Sequence, residues 1–227
     1  MALISKEYVF KETGNGLQFV GDFNSLYADD SMPWGQDGND KRLKAYYNFS
    51  RKNLIRTVKR LKKRFKYKSA LDIGCGLGYV TAMLAQHINV VGSDVSDIAV
   101  SKAKEIHTGI DFFAANICSP DFKVKDKFDI VIVNGVLWYL LDSLPQVFNN
   151  IKAALNPGGS LIIVHSFLEN QRYGKDVIDG FDGLVRYLVN EQRDFCLLEA
   201  SIHKTAQMEH ADGIVVTKYS NSIWSTV

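Results

Sequence analysis

The sequence has few cysteines and no long apolar segment. Its three cysteines, Cys75, Cys118 and Cys196, are scattered, and no pair has Cys-x-x-Cys spacing. This pattern provides neither a zinc site nor a disulfide framework, so we expect no metal and a reducing, cytoplasmic setting. The longest nearly apolar run, residues 130–141, is too short to span a bilayer. No basic segment leads into an apolar stretch near residue 1, so we expect no secretory signal.

The chain also lacks a strong excess of either charge. It has 27 Lys and Arg against 25 Asp and Glu, a formal net charge of +2, which argues neither for nor against an anionic partner. The hydrophobic fraction of 46% and the charged fraction of 23% are typical of a globular protein. A chain of 227 residues is long enough for one sizeable core, and we predict a single domain over residues 1–227.

Short apolar runs alternate with amphipathic segments from residue 69 onward. Continuous apolar strands separated by helices indicate βαβ units and a parallel sheet covered on both faces. Two closing strands have no room for a helix between them, which predicts an antiparallel pair at the sheet edge. The predicted strands are 69–75, 89–94, 110–115, 128–134, 160–165, 195–202 and 213–219. The predicted helices are 79–87, 97–106, 142–155 and 182–191.

Residues 1–50 have weak periodicity and predict an irregular cap or lid over a core of residues 51–227. A basic helix is predicted over about 43–64. The stretch 51–68 holds ten Lys or Arg, which fits the solvated face of that helix or, alternatively, a surface that attracts an acidic acceptor. No aromatic and basic surface strand accompanies it, so we expect no nucleic-acid partner.

A glycine-rich turn follows the first predicted core strand, in "SALDIGCGLGYVTAMLA". A dinucleotide-binding turn has G-x-G-x-x-G spacing, in which the third glycine lets helix and strand approach closely. Here Gly74, Gly76 and Gly78 alternate, and Tyr79 stands where the third glycine is expected. With Asp72 two residues before the first glycine, the pattern disfavours a pyrophosphate ligand.

The turn instead resembles motif I of the class I S-adenosylmethionine-dependent methyltransferases. Other pieces match in order: Asp94 ends the next strand, "FFAANICS" ends the third, and "FDIVIVNGVLWYL" and "ALNPGGSLIIV" follow. The resemblance implies a Rossmann-like α/β fold whose seven strands run 3-2-1-4-5-7-6, with strand 7 antiparallel. It implies S-adenosylmethionine as cofactor, S-adenosylhomocysteine as product, and an Asp94 carboxylate that accepts both ribose hydroxyls.

A narrower resemblance is to the NodS-type methyltransferases and related enzymes of saccharide and capsule modification. It rests on "DDSMPWGQDGNDKR", "SRKNLI" and "VLWYL". It implies that Trp34 covers the sulfonium region and that Trp138 and Tyr139 border the acceptor pocket, the alternative for these aromatic residues being core packing. That group often has a Glu before "VL", where this chain has Gly135, so either another residue replaces it or the acceptor differs.

These resemblances assign a cofactor site and a catalytic site. The expected cofactor-binding residues are Asp72, Gly74, Gly76, Gly78, Asp94, Val95, Asn116, Ile117, Asn134, Trp34 and Arg51. His165 is the first candidate for a general base because it ends strand five and an imidazole titrates near pH 7; a structural role is the alternative. Tyr139 and Tyr27 are further catalytic candidates, and Asp29 and Asp30 are weaker ones.

The expected reaction moves a methyl group to an O or N atom of a small polar acceptor, a saccharide or a glycan precursor. Two alternatives remain open. One is methylation of a phosphorylated or phosphoramidate-type metabolite, which the basic helix would attract. The other is a non-catalytic cofactor-binding module on the same fold. We expect no membrane partner, and the oligomeric state does not follow from the sequence.

Overall fold

The computed structural model describes residues 7–14, 16–39, 41–204 and 210–220, with the backbone alone for 41–46. Its strands are β1 (Phe10–Thr13), β2 (Gly16–Phe19), β3 (Ser69–Ile73), β4 (Asn89–Asp94), β5 (Asp111–Ala114), β6 (Phe128–Asn134), β7 (Leu155–Leu168), β8 (Phe195–His203) and β9 (His210–Tyr219). Its helices are α1 (Phe23–Asp29), α2 (Lys41–Phe65), α3 (Tyr79–Ala85), α4 (Asp97–Ile106), α5 (Leu144–Ala154) and α6 (Gly180–Glu191).

The central sheet confirms the predicted architecture. Within the described ranges its seven strands run in the order β5-β4-β3-β6-β7-β9-β8. β9 is antiparallel to both β7 and β8, and the neighbouring pairs from β5 to β7 are parallel. The strand order reverses on either side of β3, so β3 and β6 lie at the centre and their carboxyl ends open a crevice for a ligand.

Helices cover both faces of the sheet because their apolar residues recur at helical spacing. On one face Leu54, Val58 and Leu61 of α2 are buried and pack in one cluster with Ile132 of β6 and Ile162 of β7. A fully buried aliphatic side chain of this size contributes about 1.5–3 kcal/mol relative to an exposed one. These contacts attach the basic helix firmly to the sheet and leave its charged face in solvent.

The opposite face is covered by α5. Val147, Phe148 and Ile151 recur at helical spacing and pack in a second cluster with Val131 and Leu161 of the sheet. The sheet therefore carries apolar residues on both faces, which explains the continuous apolar runs in its sequence.

The structure corrects several predicted boundaries. The strand predicted over 69–75 ends at Ile73, because the backbone turns at Gly74 with φ +70°. The helix predicted from 142 begins at Leu144, after two short 3-10 turns, Leu137–Tyr139 and Leu141–Ser143. Strand β7 includes the Pro-Gly segment, but its regular pairing with β9 begins at Ser160.

The predicted irregular cap has regular structure in part. β1 and β2 form an antiparallel hairpin, and α1 follows it with Asp22 as N-cap, accepting a hydrogen bond from the Ser25 N–H at 3.1 Å. Helix α2 runs without a break through residue 50, from the cap into the core; the division of the chain at that residue stays a prediction. No helix in the described ranges combines the length and apolarity needed to cross a bilayer.

The glycine at the start of α3 provides a test of the turn. Gly78 has φ +79°, and a Cβ there would lie 2.7 Å from the Phe112 ring. Gly109 has φ +88° but open space around it. We expect Gly78→Ala to lower the free energy of unfolding by about 2–4 kcal/mol, from backbone strain plus overpacking. Gly109→Ala should cost about 1–2 kcal/mol, from strain alone. Equal losses in urea unfolding would contradict this account.

Candidate functional site

A cavity of about 520 Å³ lies between the N-terminal cap and the carboxyl edge of the sheet. The residues that line it are called the cavity wall. The ends of the core strands contribute Gly74, Asp94, Asn116, Asn134 and His165. The cap and α2 contribute Phe19, Phe23, Tyr27, Trp34, Gln36 and Arg51. The volume is that of a site for a small molecule or cofactor.

Asp94, at the end of β4, is a buried carboxylate in this wall, 7% exposed. Its Oδ2 accepts the Gly76 N–H at 2.8 Å and its Oδ1 accepts the Ser96 N–H at 2.9 Å. Burial raises the pKa of this carboxyl, and the backbone hydrogen bonds oppose that rise. Each oxygen keeps a further acceptor site, so the pair fits two ligand hydroxyls. The predicted position of Asp94 at the strand end is the position the structure shows.

The glycine turn forms the floor of the cavity at Gly74. The Gly74 N–H donates to the Ser93 carbonyl at 2.7 Å, and a Cβ on Gly74 would lie 2.5 Å from Val136 Cγ1. A Cβ on Gly76 would lie 2.6 Å from Tyr27 Oη. The turn therefore excludes side chains at both positions because Val136, just after β6, and Tyr27 of the cap approach its backbone closely.

Three predicted cofactor residues lie behind the wall. Asp72 is 2% exposed, and Thr81 Oγ1 donates to its Oδ2 at 2.7 Å. Burial raises the pKa of Asp72 to about 7 in spite of that hydrogen bond. Gly76 and Gly78 are likewise absent from the cavity wall. These three residues support the turn, and their contact with the cofactor stays a prediction.

The wall also includes three more of the residues predicted to bind the cofactor. Val95, Asn116 and Ile117 all belong to the wall. Asn116 Oδ1 accepts the Cys118 N–H at 2.9 Å, which orients the amide while leaving a second lone pair. Ile117 is 6% exposed and provides an apolar surface. Together with Asp94 they line a pocket with carboxylate, amide and apolar groups.

Aromatic residues of the cap form a roof over the cavity. Trp34 Nε1 donates to Tyr27 Oη at 3.1 Å, and the Tyr139 ring lies 5.1 Å from Phe23 and 5.9 Å from Phe19. Sequence reasoning found Trp34, Tyr27 and Tyr139 but missed Phe19 and Phe23. The one sequence signal for these two residues was that they are aromatic, because the hairpin that contains Phe19 is too short to show a clear strand periodicity.

Tyr27 does not fit the role of a base. It is 3% exposed, and burial, with a contribution from the Asp94 carboxylate, raises its pKa well above the ordinary value. Its hydroxyl therefore stays protonated at neutral pH. The weaker candidates Asp29 and Asp30 lie outside the wall, and Asp29 Oδ2 accepts a hydrogen bond from Tyr8 Oη at 3.1 Å.

His165 lies in the wall at the carboxyl half of β7, as predicted, but its protonation differs from the prediction. It is 5% exposed, and neither ring nitrogen has a hydrogen-bond partner. Trp138 packs edge-on against it, with ring centroids 4.6 Å apart. Burial lowers the pKa of His165 to about 3. The expectation that it titrates near pH 7 is wrong, because the imidazole is enclosed by apolar rings.

Asn134 and Arg51 complete the predicted set, and both belong to the wall. Asn134 ends β6, beside an unobstructed Gly135. Arg51 Nη2 donates to the Gln36 carbonyl at 2.8 Å, and its guanidinium lies 4.7 Å from the Tyr47 ring centroid. The other four histidines, His87, His107, His203 and His210, are outside the wall. Within the described ranges, no three His, Cys, Asp or Glu side chains form a metal-binding group.

The comparisons with known proteins agree with this geometry. A family model described as a methyltransferase domain matches residues 71–163. Phosphoethanolamine N-methyltransferase 1 of Triticum aestivum is 34% identical over 106 residues, which cover 44% of this chain and 21% of the wheat protein. Nodulation protein S of Rhizobium tropici is 29% identical over 66% of this chain and 60% of its own length. The chain thus spans only part of either relative.

A solved structure shows the same fold over most of the chain. The N-methyltransferase NodS of Bradyrhizobium japonicum WM9, in complex with S-adenosyl-L-homocysteine, aligns with a TM-score of 0.62 at 19% identity. The alignment covers 87% of this chain and 96% of that one. Fold and cavity thus define a Rossmann-like α/β protein with a site at the strand ends. Residues 71–163 match the methyltransferase domain family, which confirms the predicted resemblance to the S-adenosylmethionine-dependent methyltransferases.

The protonation of His165 has a measurable effect on stability. Its pKa of about 3 in the folded state lies below the ordinary 6.5, so between these values the unfolded state binds a proton that the folded state does not. The free energy of unfolding therefore decreases as the pH is lowered through this window. From about pH 7 to about pH 5, wild type should lose about 2 kcal/mol more than His165→Gln. The raised pKa of Asp72 has the opposite effect on the pH dependence, but it is present in both wild type and His165→Gln and therefore cancels in the comparison.

Urea unfolding at the two pH values measures the difference, and the NMR titration of the His165 C2 proton measures the pKa directly. A midpoint near 6.5, or the same pH dependence in both proteins, would show that His165 is solvated.

Proposed function

We propose that this chain transfers the methyl group of S-adenosylmethionine to an O or N atom of a small polar acceptor, a saccharide or a glycan precursor. One observation carries the cofactor part of this proposal. The buried Asp94 carboxylate, oriented by two backbone N–H groups, is in the wall of a cavity above a glycine turn. The methyltransferase domain match supports the reaction.

The residues of the wall fit the cofactor. Asp94 would accept the ribose hydroxyls, and Asn116 and Ile117 would hold the adenine. Gly74, which has no side chain, would leave room for the methionine part of the cofactor, and Trp34 would cover that part from the cap. Buried polar atoms without partners in the wall, at Gln36 and Arg51, are the kind of groups a ligand satisfies. When bound, S-adenosylmethionine supplies an electrophilic methyl group on a sulfonium.

The protein's part in the reaction is positioning and exclusion of water. Trp138, Tyr139 and His165 border the part of the wall formed by β6, β7 and the segment after β6, where we place the acceptor. A neutral imidazole has one donor and one acceptor nitrogen, so His165 can orient a hydroxyl or an uncharged amine. With a pKa of about 3 it is a weak base, so we assign it orientation of the acceptor rather than retention of the proton.

The chemistry of the wall favours an uncharged, polar acceptor. Trp138 packs against His165, and Ser166 follows it in β7. Both belong to the wall, as does Tyr139, and such groups pack against and hydrogen-bond to a saccharide. The saccharide class is what the resemblance to the NodS-type methyltransferases implies, and nodulation protein S of Rhizobium tropici is among the relatives that the chain matches.

The second candidate is a phosphorylated metabolite. Two observations favour it: Arg51 provides a cation in the wall, and one relative is named phosphoethanolamine N-methyltransferase. A non-catalytic cofactor-binding module is the third candidate, and it differs by lacking turnover with any acceptor.

For the compartment we propose the cytoplasm, because Cys75, Cys118 and Cys196 are all free thiols.

Calorimetry with S-adenosylhomocysteine tests the cofactor proposal. We expect binding to wild type and a loss of about 10- to 100-fold in affinity for Asp94→Ala, since hydrogen bonds to a charged group are removed. Asp97→Ala is the matched control, because Asp97 is an exposed acid three residues later, and it should bind like wild type. Absent binding in wild type, or unchanged affinity in Asp94→Ala, would overturn the cofactor assignment.

A methyl-transfer screen tests the acceptor. S-adenosylhomocysteine release is measured with sugars, nucleotide sugars and phosphorylated amines, each in parallel with wild type and His165→Phe. We expect turnover with a hydroxyl or amine on a saccharide, and a fall of about 10-fold or more in kcat/KM for His165→Phe through lost orientation. Turnover limited to phosphorylated acceptors would favour the second candidate. The absence of turnover with every acceptor would favour the third, the non-catalytic module.

A further inference from the structure

A second buried carboxylate, Asp212 of β9, lies directly behind the cavity wall. Asp212 is 3% exposed and is outside the wall itself. The register of the sheet places it between Ser166 of β7 and His203 of β8. A carboxylate removed from water is strongly unfavourable unless hydrogen bonds or opposite charges compensate it. The groups around Asp212 therefore determine how readily it holds its charge.

Ser166 connects this carboxylate to the cavity. Ser166 Oγ donates a hydrogen bond to Asp212 Oδ1, and Ser166 is half-buried and belongs to the wall. Successive side chains of a strand face opposite sides of the sheet, so Ser166 and His165 reach the cavity from the two sides of β7. A hydroxyl accepts one hydrogen bond while it donates another. A ligand hydroxyl in the cavity can therefore donate to Ser166 Oγ while Ser166 donates to Asp212.

The protein compensates the charge of Asp212 in part. Its Oδ2 is buried and, within the described ranges, accepts no hydrogen bond, whereas His210 Nε2 lies 3.7 Å from Oδ1. Burial raises the pKa of Asp212 above the ordinary 3.8, and the Ser166 hydrogen bond and the charges of His210 and His203 oppose that rise. The pKa of His165 is about 3, so Asp212 is the stronger base of the two.

We propose that Ser166 and Asp212 form a relay that takes the proton from the acceptor during methyl transfer. As the acceptor oxygen or nitrogen bonds to the methyl carbon, the bond from that carbon to sulfur breaks and its electron pair stays on sulfur. The acceptor proton passes to Ser166 Oγ, and the proton of Ser166 passes to Asp212 Oδ1. The result is a methylated acceptor, S-adenosylhomocysteine and a neutral Asp212 carboxyl, which then returns its proton to solvent.

The two residues have different parts in this step. Ser166 touches the acceptor and is a catalytic residue, while Asp212 acts through Ser166 and is a positioning residue that stores the proton. His165 keeps the role of orienting the acceptor. The inference rests on the proposed function, and it provides the base that the low pKa of His165 leaves unassigned.

Other titratable groups lie near Asp212 and affect its pH dependence. His203 of β8 is its cross-strand neighbour, and His210 lies two residues before it on β9. Burial lowers the pKa of His210, so this imidazole is neutral at neutral pH. The charged groups at the margins are the ion pair of Lys204 with Glu169, just beyond the ends of β8 and β7, and the Arg51 guanidinium of α2.

The pH dependence of turnover distinguishes a relay from a structural role. The probe is the saccharide of the screen above that wild type methylates fastest, at saturating S-adenosylmethionine. In wild type, kcat should fall as the pH is lowered, because a protonated Asp212 takes no further proton. Asp212→Asn should lower kcat by about 100-fold or more, keep KM within about threefold, and lose this fall. His203→Gln and His210→Gln should keep the fall, because neither imidazole is in the relay.

Ser166 is tested by removal and by a conservative replacement. Ser166→Ala should lower kcat by about 10- to 100-fold, because the path to Asp212 is interrupted. Ser166→Thr keeps the hydroxyl and should stay within about fivefold of wild type. Ser201→Ala is the matched control, since it removes an exposed hydroxyl from β8, and it should have the wild-type kcat.

Calorimetry with S-adenosylhomocysteine separates the possible failures. Asp212→Asn and Ser166→Ala should bind it like wild type, which reports an intact cavity. A loss of binding together with turnover would assign both residues to folding and overturn the inference. Unchanged kcat in either variant, or the wild-type fall at low pH in Asp212→Asn, would overturn it as well. If wild type methylates no saccharide, the proposed function fails and the inference with it.

Discussion

The structure of the site depends on one buried carboxylate. Asp94 gives up most of its hydration at the end of β4, and a buried charge without compensating hydrogen bonds is strongly unfavourable. Two backbone N–H groups provide the compensation, one from Gly76 and one from Ser96. The first requires a turn whose glycines have positive φ, and the second comes from the N-cap of α4. Turn, strand end and helix start are therefore fixed together, and their common centre is in the wall of the cavity.

The N-terminal cap completes a cavity that the sheet leaves open. Its aromatic residues pack on Tyr139, and Tyr27 and Gln36 approach the glycine turn so closely that no side chain fits there. The result is an enclosed space lined by the Asp94 carboxylate and by the Arg51 guanidinium of α2. We propose that the cofactor lies in this space and that the acceptor lies beside His165.

Much of this arrangement could be predicted from the sequence, for a physical reason. Carboxyl ends of parallel strands meet at one edge, so Asp94, Asn134 and His165 could be placed together once the apolar runs were recognised as strands. Motif resemblance added Trp34 and Arg51. The Asp72 side chain points into the packed layer, where the Thr81 hydroxyl donates to it. A motif alone does not show which way a residue in a strand faces, so the contact of Asp72 with the cofactor stays a prediction.

Other features depend on tertiary contacts that no local pattern reports. The pKa of His165 follows from burial beside Trp138, which only the folded chain creates. Gln36 lies in a segment without periodicity, and the burial of its unpaired Oε1 is a result of tertiary packing. The β1–β2 hairpin is too short to produce a clear alternation.

The most direct test of the central claim is a crystal structure of the protein with S-adenosylhomocysteine. The account predicts the ligand in this cavity, with both ribose hydroxyls donating to the Asp94 carboxylate and the adenine against Ile117. A ligand bound elsewhere, or bound in the cavity without contact to Asp94, would contradict it.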